Sequence, residues 1–321
     1  MANVLWRRIS WTCGRRAASS SLLRLGVVLV LALLSACSGA APARVAPTLD
    51  AEARPLVVLS FNVRYGTATD GLDAWPLRSS ALVARIREAA PDVLGVQEAL
   101  DFQVEFLERE LANHVRLGQG REGGARGEHS ALFVARARFE VLEYGDFWLS
   151  ETPERVASVG WDAALTRMCT WARLRERSSG LEFSVWNTHF DHRGPLARER
   201  SAQLIAARVA QRGGAHIVLG DLNASENEPP LAALRAVGLV DAFRALHPDA
   251  QQVGTFHAFR GGLDGARIDF VLATSEFTPL SASILSAPAA NGRWPSDHHP
   301  VVVRYGVAPN VHAPQPTPQS E

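Results

Sequence analysis

Cysteine is scarce in this chain, and its placement excludes a disulfide framework. Of the 3 cysteines, Cys13 and Cys37 lie in the N-terminal leader, which leaves Cys169 alone in the body. Cys169 sits between Met168 and Thr170-Trp171 in a strand-like run, so it reads as a buried, inert thiol. Net charge is also missing, because 33 lysines and arginines balance 33 aspartates and glutamates. No global basic field exists to gather nucleic acid, which argues against a processive or tight DNA binder and leaves room for a local patch. No segment repeats at a fixed short period. The longest apolar stretch of the leader, residues 25–34, is too short for a comfortable membrane span.

That stretch belongs to an address. Arg7, Arg8, Arg15, Arg16 and Arg24 form a basic leader ahead of it, and the small pair Ser35-Ala36 follows, directly before Cys37. Residues 1–36 are therefore expected to be an export signal. An ordinary cleaved signal or a short anchor is the alternative. Leu34-Ser35-Ala36-Cys37 resembles the lipobox of bacterial lipoproteins, which implies a lipidated Cys37 at the mature N-terminus. Acyl chains there would hold the exported protein on a bacterial membrane, inner or outer, at about 0.8 kcal/mol per buried methylene. Residues 37–55, rich in Ala and Pro, read as the lipidated cysteine and a flexible tether. The folded body is expected over 56–306. The tail, 307–321, carries Pro309, Pro314, Pro316 and Pro318 and reads as disordered.

Within the body, apolar runs repeatedly end on polar groups. Leu56-Val57-Val58-Leu59-Ser60-Phe61 ends at Asn62, and Asp92-Val93-Leu94-Gly95-Val96 ends at Gln97-Glu98. The strand over 181–187 runs into Thr188-His189, and His216-Ile217-Val218-Leu219 runs into Gly220-Asp221-Leu222-Asn223. Asp269 lies in the strand over 268–272, and Ser296-Asp297-His298-His299 precedes the last strand, over 300–305. Helices are expected over 76–90, with Leu77, Leu82 and Ile86 on one face and arginines on the other, over 101–111, capped by Asp101, and over 196–211. Strands mixed with a few helices predict a layered α/β body with sheets packed face to face. Ligands in such bodies collect at strand ends.

These residue types suit phosphate chemistry. In extended backbone, residues two apart share a side, so Asp221 and Asn223 would face one spot, an acid for water beside an amide for an oxyanion. Both could equally cap a turn. Glu98 suits a hard cation such as Mg²⁺. His189 and His298 offer acid–base groups near neutral pH, and Asp269 or Asp297 could ligate metal or orient a histidine. Asn62, Asn187 and Asn223 are candidate donors to phosphate oxygens. Arg64 and Arg167 could clamp a phosphate in a bidentate fork or form surface ion pairs.

Six motifs occur together: Ser60-Phe61-Asn62-Val63-Arg64, Gln97-Glu98, Asn187-Thr188-His189-Phe190-Asp191, Gly220-Asp221-Leu222-Asn223, Arg267-Ile268-Asp269-Phe270 and Ser296-Asp297-His298-His299-Pro300. In this order they resemble the endonuclease/exonuclease/phosphatase superfamily, the deoxyribonuclease I-like fold. Phe147-Trp148-Leu149-Ser150-Glu151-Thr152-Pro153 is similar to a signature of its bacterial secreted branch. The resemblance implies a four-layer sandwich, two packed mixed β-sheets flanked by helices. It implies Glu98 as principal Mg²⁺ ligand, with Asn62 and Asp297 nearby and Mn²⁺ as a substitute. Asp221 would orient or deprotonate the attacking water, Asn223 would hold the scissile phosphate, and His298, paired with Asp269, would contact phosphate or transfer a proton. His189 is implied as an acid for the leaving oxygen. Arg64 stands where several nuclease members carry aspartate, which weakens the case for a second metal ligand there. The expected activity is Mg²⁺-dependent hydrolysis of a small or lipid-linked phosphate ester, diester or monoester, by a monomer. A nonspecific extracytoplasmic nuclease, favoured by Arg116, Arg121 and Arg126 around the loop 118–127, is the second reading. A catalytically inactive surface-binding lipoprotein is the third.

Overall fold

The computed structural model describes residues 54–307. The export signal, Cys37, most of the tether and the tail lie outside the described residues. One sheet contains β1 (Leu56–Asn62), β2 (Val93–Gln97), β3 (His114–Leu117), β4 (Leu132–Ala135), β11 (Phe277–Ile284) and β12 (Val301–Val307), in the order β11-β12-β1-β2-β4-β3. The other contains β5 (Phe139–Trp148), β6 (Met168–Glu176), β7 (Glu182–His189), β8 (Ala215–Asp221), β9 (Val240–Asp241) and β10 (Asp269–Ala273), in the order β5-β6-β7-β8-β10-β9. Each is mixed, with one parallel pair at its centre: β1 beside β2, and β7 beside β8.

The alternation of side chains divides the core into three apolar layers. Val58, Val93 and Leu132 of the first sheet meet Leu174, Val185, Ile217 and Val271 of the second. The outer face of the first sheet, through Leu59, Phe61 and Leu94, is covered by α1 (Trp75–Ala89) and α2 (Asp101–Glu110). Trp186, Val218 and Phe270 on the far face of the second are covered by α3 (Pro195–Arg212) and α4 (Pro229–Arg235). Helix, sheet, sheet, helix is the four-layer sandwich expected from the sequence. Cys169 is buried in the outer layer, and burial pushes its thiol well above the ordinary range.

Two helical details differ from expectation. On α1 the buried positions are Trp75, Arg78, Leu82, Val83, Ile86 and Ala89, whereas Leu77 is 57% exposed. Trp75, Arg78, Leu82, Ile86 and Ala89 follow the helical repeat, and Leu77 falls on the opposite side. Asp101 is the first helical residue of α2 rather than its cap, and the free Leu100 N–H is instead satisfied by Gln103 Oε1 at 3.0 Å. The sequence reading also passed over β3, β9, α4 and α5 (Ala242–Leu246), all too short to show a period.

Strand direction decides where the polar ends meet. β1 and β2 run parallel and finish level, Asn62 beside Gln97. β7 and β8 do the same, His189 beside Asp221. β10 runs antiparallel to β8 and therefore starts where β8 ends, Asp269 beside Asp221. β12, antiparallel to β1, places the preceding Asp297 and His298 at this end as well. The chain thus gathers residues from six segments at one rim of the sandwich.

Candidate active site

The rim opens into a cleft of about 460 Å³, lined among others by Arg64, Glu98, Arg167, His189, Asp221, Asn223, Asp297 and His298. Three of these residues, Arg64, Glu98 and Asn223, hold left-handed backbone at φ of 56°, 64° and 45°. Non-glycine residues persist there only where their surroundings over-determine them. Here the surroundings are hydrogen bonds. Asn62 Oδ1 accepts from the Arg64 N–H at 3.0 Å, and Asn62 Nδ2 donates to Glu98 Oε1 and Asp221 Oδ2, both at 3.0 Å. Glu98 Oε2 accepts from the Tyr65 N–H at 3.1 Å. One buried carboxamide therefore ties the ends of β1, β2 and β8 together.

Asp221 and Asn223 do converge, by a different route from the expected extended geometry. β8 ends at Asp221, and the chain turns so that the Asn223 N–H donates to Asp221 Oδ1 at 2.9 Å. Asn223 Nδ2 is then aimed at the Phe190 carbonyl and at His189 Nε2, each 3.0 Å away. The turn-capping and site readings of this pair are one geometry. Gly220 makes it feasible: at φ of 142°, a Cβ there would lie 2.0 Å from the Thr188 carbonyl oxygen.

The two histidines sit in different charge states, one neutral and one cationic. Burial, with the nearby Arg167 charge, drives His189 well below the usual imidazole range, so it is neutral. With Asn223 donating to Nε2, its own proton belongs on Nδ1. For His298 burial also opposes the charge, but Asp269, Asp221 and Asp297 outweigh it and hold the ring well above the usual range. His298 Nδ1 lies 2.8 Å from Asp269 Oδ2, and its Nε2 lies 3.8 Å from Asp221 Oδ2. Asp221 itself is pushed up to about 7 by burial and by the Asp269 charge. Asp297 is raised too, by burial and by the field of Glu98, despite His298. Carboxyl groups crowded until they resist ionisation form a donor set that a cation would relieve. Glu98, His189 and Asp221 each offer an atom within 4.8 Å of one another, and Asp221, Asp269 and His298 do likewise. Glu98 and Asp221 supply the oxygen donors that a hard divalent ion prefers, and Asn62 is hydrogen-bonded to both, whereas Asp297 belongs to neither group.

The remaining candidates separate. Arg167 lines the cleft, largely buried, its guanidinium 3.2 Å from His192 Nδ1 and 3.6 Å from Asp191. Arg64 turns its fork onto Asp70, at 3.0 and 3.2 Å, and lies 3.7 Å from Asp297. Of its two readings, phosphate clamp or ion pair, the ion pair is the observed state. Asn187 is a correction. Its Nδ2 donates to the Val96 and Ala131 carbonyls, and its Oδ1 accepts from Gln97 at 2.7 Å, so the amide is spent inside the sandwich and does not reach the cleft. Gly95 leaves room for it, since a Cβ there would come within 2.8 Å of that amide. The sequence reading missed Glu128, His192, Tyr65 and Phe256 on the cleft wall. Only His192 carried a signal, through its place beside Asp191.

A two-sheet sandwich with carboxylates, amides, one neutral imidazole and one cationic imidazole gathered at one rim is the construction of a phosphoric ester hydrolase. Residues 59–298 match the Endonuclease/Exonuclease/phosphatase family, and the chain belongs to that family. Among solved structures, it is similar to a protein of that family from Bacteroides thetaiotaomicron, at 31% identity and a TM-score of 0.72, over 79% of this chain and 98% of that one. It is also similar to a mannosyl-6-phosphatase from the same organism, at 32% identity and a TM-score of 0.71, over 78% and 99% of the two chains. Nocturnin of Drosophila melanogaster is 27% identical over 217 residues, which are 57% of this chain and only 31% of that protein's length.

Proposed function

We propose that the chain hydrolyses a small or lipid-linked phosphate ester with a divalent cation, Mg²⁺ or in its place Mn²⁺, by in-line attack of water. The observation that carries this reading is the Asn62 amide, which joins Glu98 to Asp221 and so sets a cation-binding carboxylate beside a carboxylate able to take a proton. The cation, held by Glu98, Asp297 and Asn62, would offset the charge gathering on the phosphate oxygens. Asp221 orients the water and accepts its proton, and Asn223 holds the phosphate by turning its amide from His189 Nε2 to a phosphate oxygen. His298, kept charged by Asp269, donates to a phosphate oxygen or to the leaving oxygen. His189, being neutral, orients Asn223 and hydrogen-bonds the substrate rather than serving as the acid. Arg167, largely buried in the lining of the cleft, supplies positive charge there.

A monoester or compact diester suits the cleft better than a polynucleotide. Arg121 is paired with Glu128 at 2.7 Å and Arg116 with Glu108 at 3.4 Å, so of the three arginines around the loop 118–127 only Arg126 keeps a charge unpaired among the described residues, which makes a poor cationic track. The similarity to a mannosyl-6-phosphatase supports the same preference. The assay sets Mg²⁺ and the soluble chain, lacking residues 1–37, against sugar phosphates, a phospholipid, sphingomyelin and supercoiled plasmid at low salt. Turnover of a small phosphate ester is expected, abolished by excess chelator and restored by Mg²⁺. Full turnover in chelator sinks the metal role, and plasmid nicking with no small-ester turnover transfers the assignment to a nuclease.

We further propose export and anchoring through Cys37, on the lipobox-like residues 34–37. Cys37→Ser is expected to leave the exported protein unlipidated and outside the membrane fraction. Continued fractionation with membranes contradicts the anchor.

A further inference from the structure

Arg78 reads from the sequence as one of the arginines on the solvent face of an amphipathic helix, yet it is 3% exposed. Its hydrogen-bond acceptors are all backbone carbonyls. Nη1 donates to Val63 O at 2.7 Å and Pro295 O at 2.9 Å, Nη2 to Arg64 O at 2.9 Å, and Nε to Asp73 O at 2.9 Å. The guanidinium lies over the rings of Trp75 and Phe259, 5.1 and 5.7 Å from their centroids. Burial lowers it to about 10, partly offset by the Asp297 and Asp70 charges, so it stays cationic at neutral pH. Burying a guanidinium against carbonyls alone is an expensive way to stabilise a helix. The carbonyls show what it achieves. Val63 and Arg64 follow Asn62, and Pro295 stands two residues before Asp297, so one rigid fork joins the two segments that carry cation-site oxygens. Gln103 supports the first of these from the other side, donating to the Arg64 carbonyl at 3.0 Å and accepting from the Gly66 N–H at 2.6 Å. Ser296 Oγ closes the link by donating to the Asn62 carbonyl at 2.7 Å.

We propose that Arg78 is a positioning residue for the cation site, bracing residues 62–64 against residues 295–297 so that Asn62 and Asp297 keep a fixed spacing, with Glu98 held to the first segment by Asn62 Nδ2 and the Tyr65 N–H. It rests on the reading of these residues as a divalent-cation site. A lysine keeps the charge but is a point donor that cannot span carbonyls on both segments, so the brace needs the planar fork. The test measures Mn²⁺ binding to the substrate-free full chain by electron paramagnetic resonance, for wild type, Arg78→Lys and Arg78→Met. Circular dichroism melts confirm the folded fraction, and the rise in Tm on adding Mn²⁺ is a second readout. Supports of metal ligands commonly change affinity by about 10- to 100-fold. Both variants are expected to weaken Mn²⁺ binding by about that factor and to shrink the Mn²⁺-induced rise in Tm. Wild-type binding with unchanged affinity in folded Arg78→Lys overturns the brace. A lowered Tm in both variants with unchanged Mn²⁺ affinity assigns Arg78 to fold stability alone and overturns it too. Failure of the wild type to bind Mn²⁺ removes the cation site itself, and the brace with it.

Discussion

Replacing His298 by alanine is expected to lower kcat by about 10²- to 10⁴-fold, the range for losing a positioned acid or base. The ring is the positive charge in the cleft that faces both Asp221 and Asp269, and its state is set by those partners. The pH dependence follows from the sign of its shift. A histidine raised above its ordinary value by carboxylates is protonated through neutral pH and loses its proton only as pH climbs through that raised value. If the charged ring serves the reaction, activity declines on the basic side of the profile. Asp269→Asn weakens the strongest support of that charge and should move the basic limb to lower pH, with a smaller loss at pH 6 than at pH 8. The same pairing contributes folding stability below the unfolded histidine value and loses it as pH rises through the folded one. His298→Ala also leaves Asp269 buried without its partner, and Asp269 Oδ1 already has none, so a lower Tm is expected with it. A change in kcat below about tenfold in a folded variant removes His298 from the chemistry.

Much of the site was legible because its residues end buried strands, where an apolar run stopping on Asn, Glu or Asp is a conflict between burial and polarity. What the pattern lacked was depth. Asn187 and His189 are two apart and share a face, so alternation treats them alike. One pleat decides between them: His189 reaches the rim beside Asp221, while Asn187 stays inside, opposite Gly95. Arg78 failed for a related reason. Charge on an amphipathic helix reads as solvent-facing, and only the apposition of two distant segments reveals three of the four carbonyls that receive the guanidinium. The layered fold, by contrast, needed only the lengths and composition of the apolar runs, which tertiary context did not override. The shortest strands and helices carry too few residues for a period and became visible only in the assembled sheets.

Asp221→Asn separates the proposed base from its scaffolding. The substitution keeps the volume and one carbonyl-type acceptor. It cannot accept from both Asn62 Nδ2 and the Asn223 N–H as the carboxylate does, so one of those two bonds is lost. Turnover is expected to fall by about 10²- to 10⁴-fold, since an amide cannot take a proton from water. The wild-type acid limb should belong to Asp221, whose proton must leave before it can act as base. In the metal-free chain that occurs near 7, and a cation beside Glu98 favours the carboxylate and moves it lower. In the variant this limb should vanish from whatever activity persists. Stability gives an independent check. A carboxyl raised from the ordinary range to about 7 binds its proton more tightly folded than unfolded, so it makes the metal-free protein lose stability as pH rises from about 4 to 7. Urea midpoints of the metal-free variant should therefore fall less steeply over that interval than those of the wild type. Equal slopes would show that Asp221 is ionised in the folded state at low pH, and the limb would then belong to another group. A stabilised but inactive variant at pH 8 is the signature of a carboxylate kept at the rim for chemistry and against the fold's own preference.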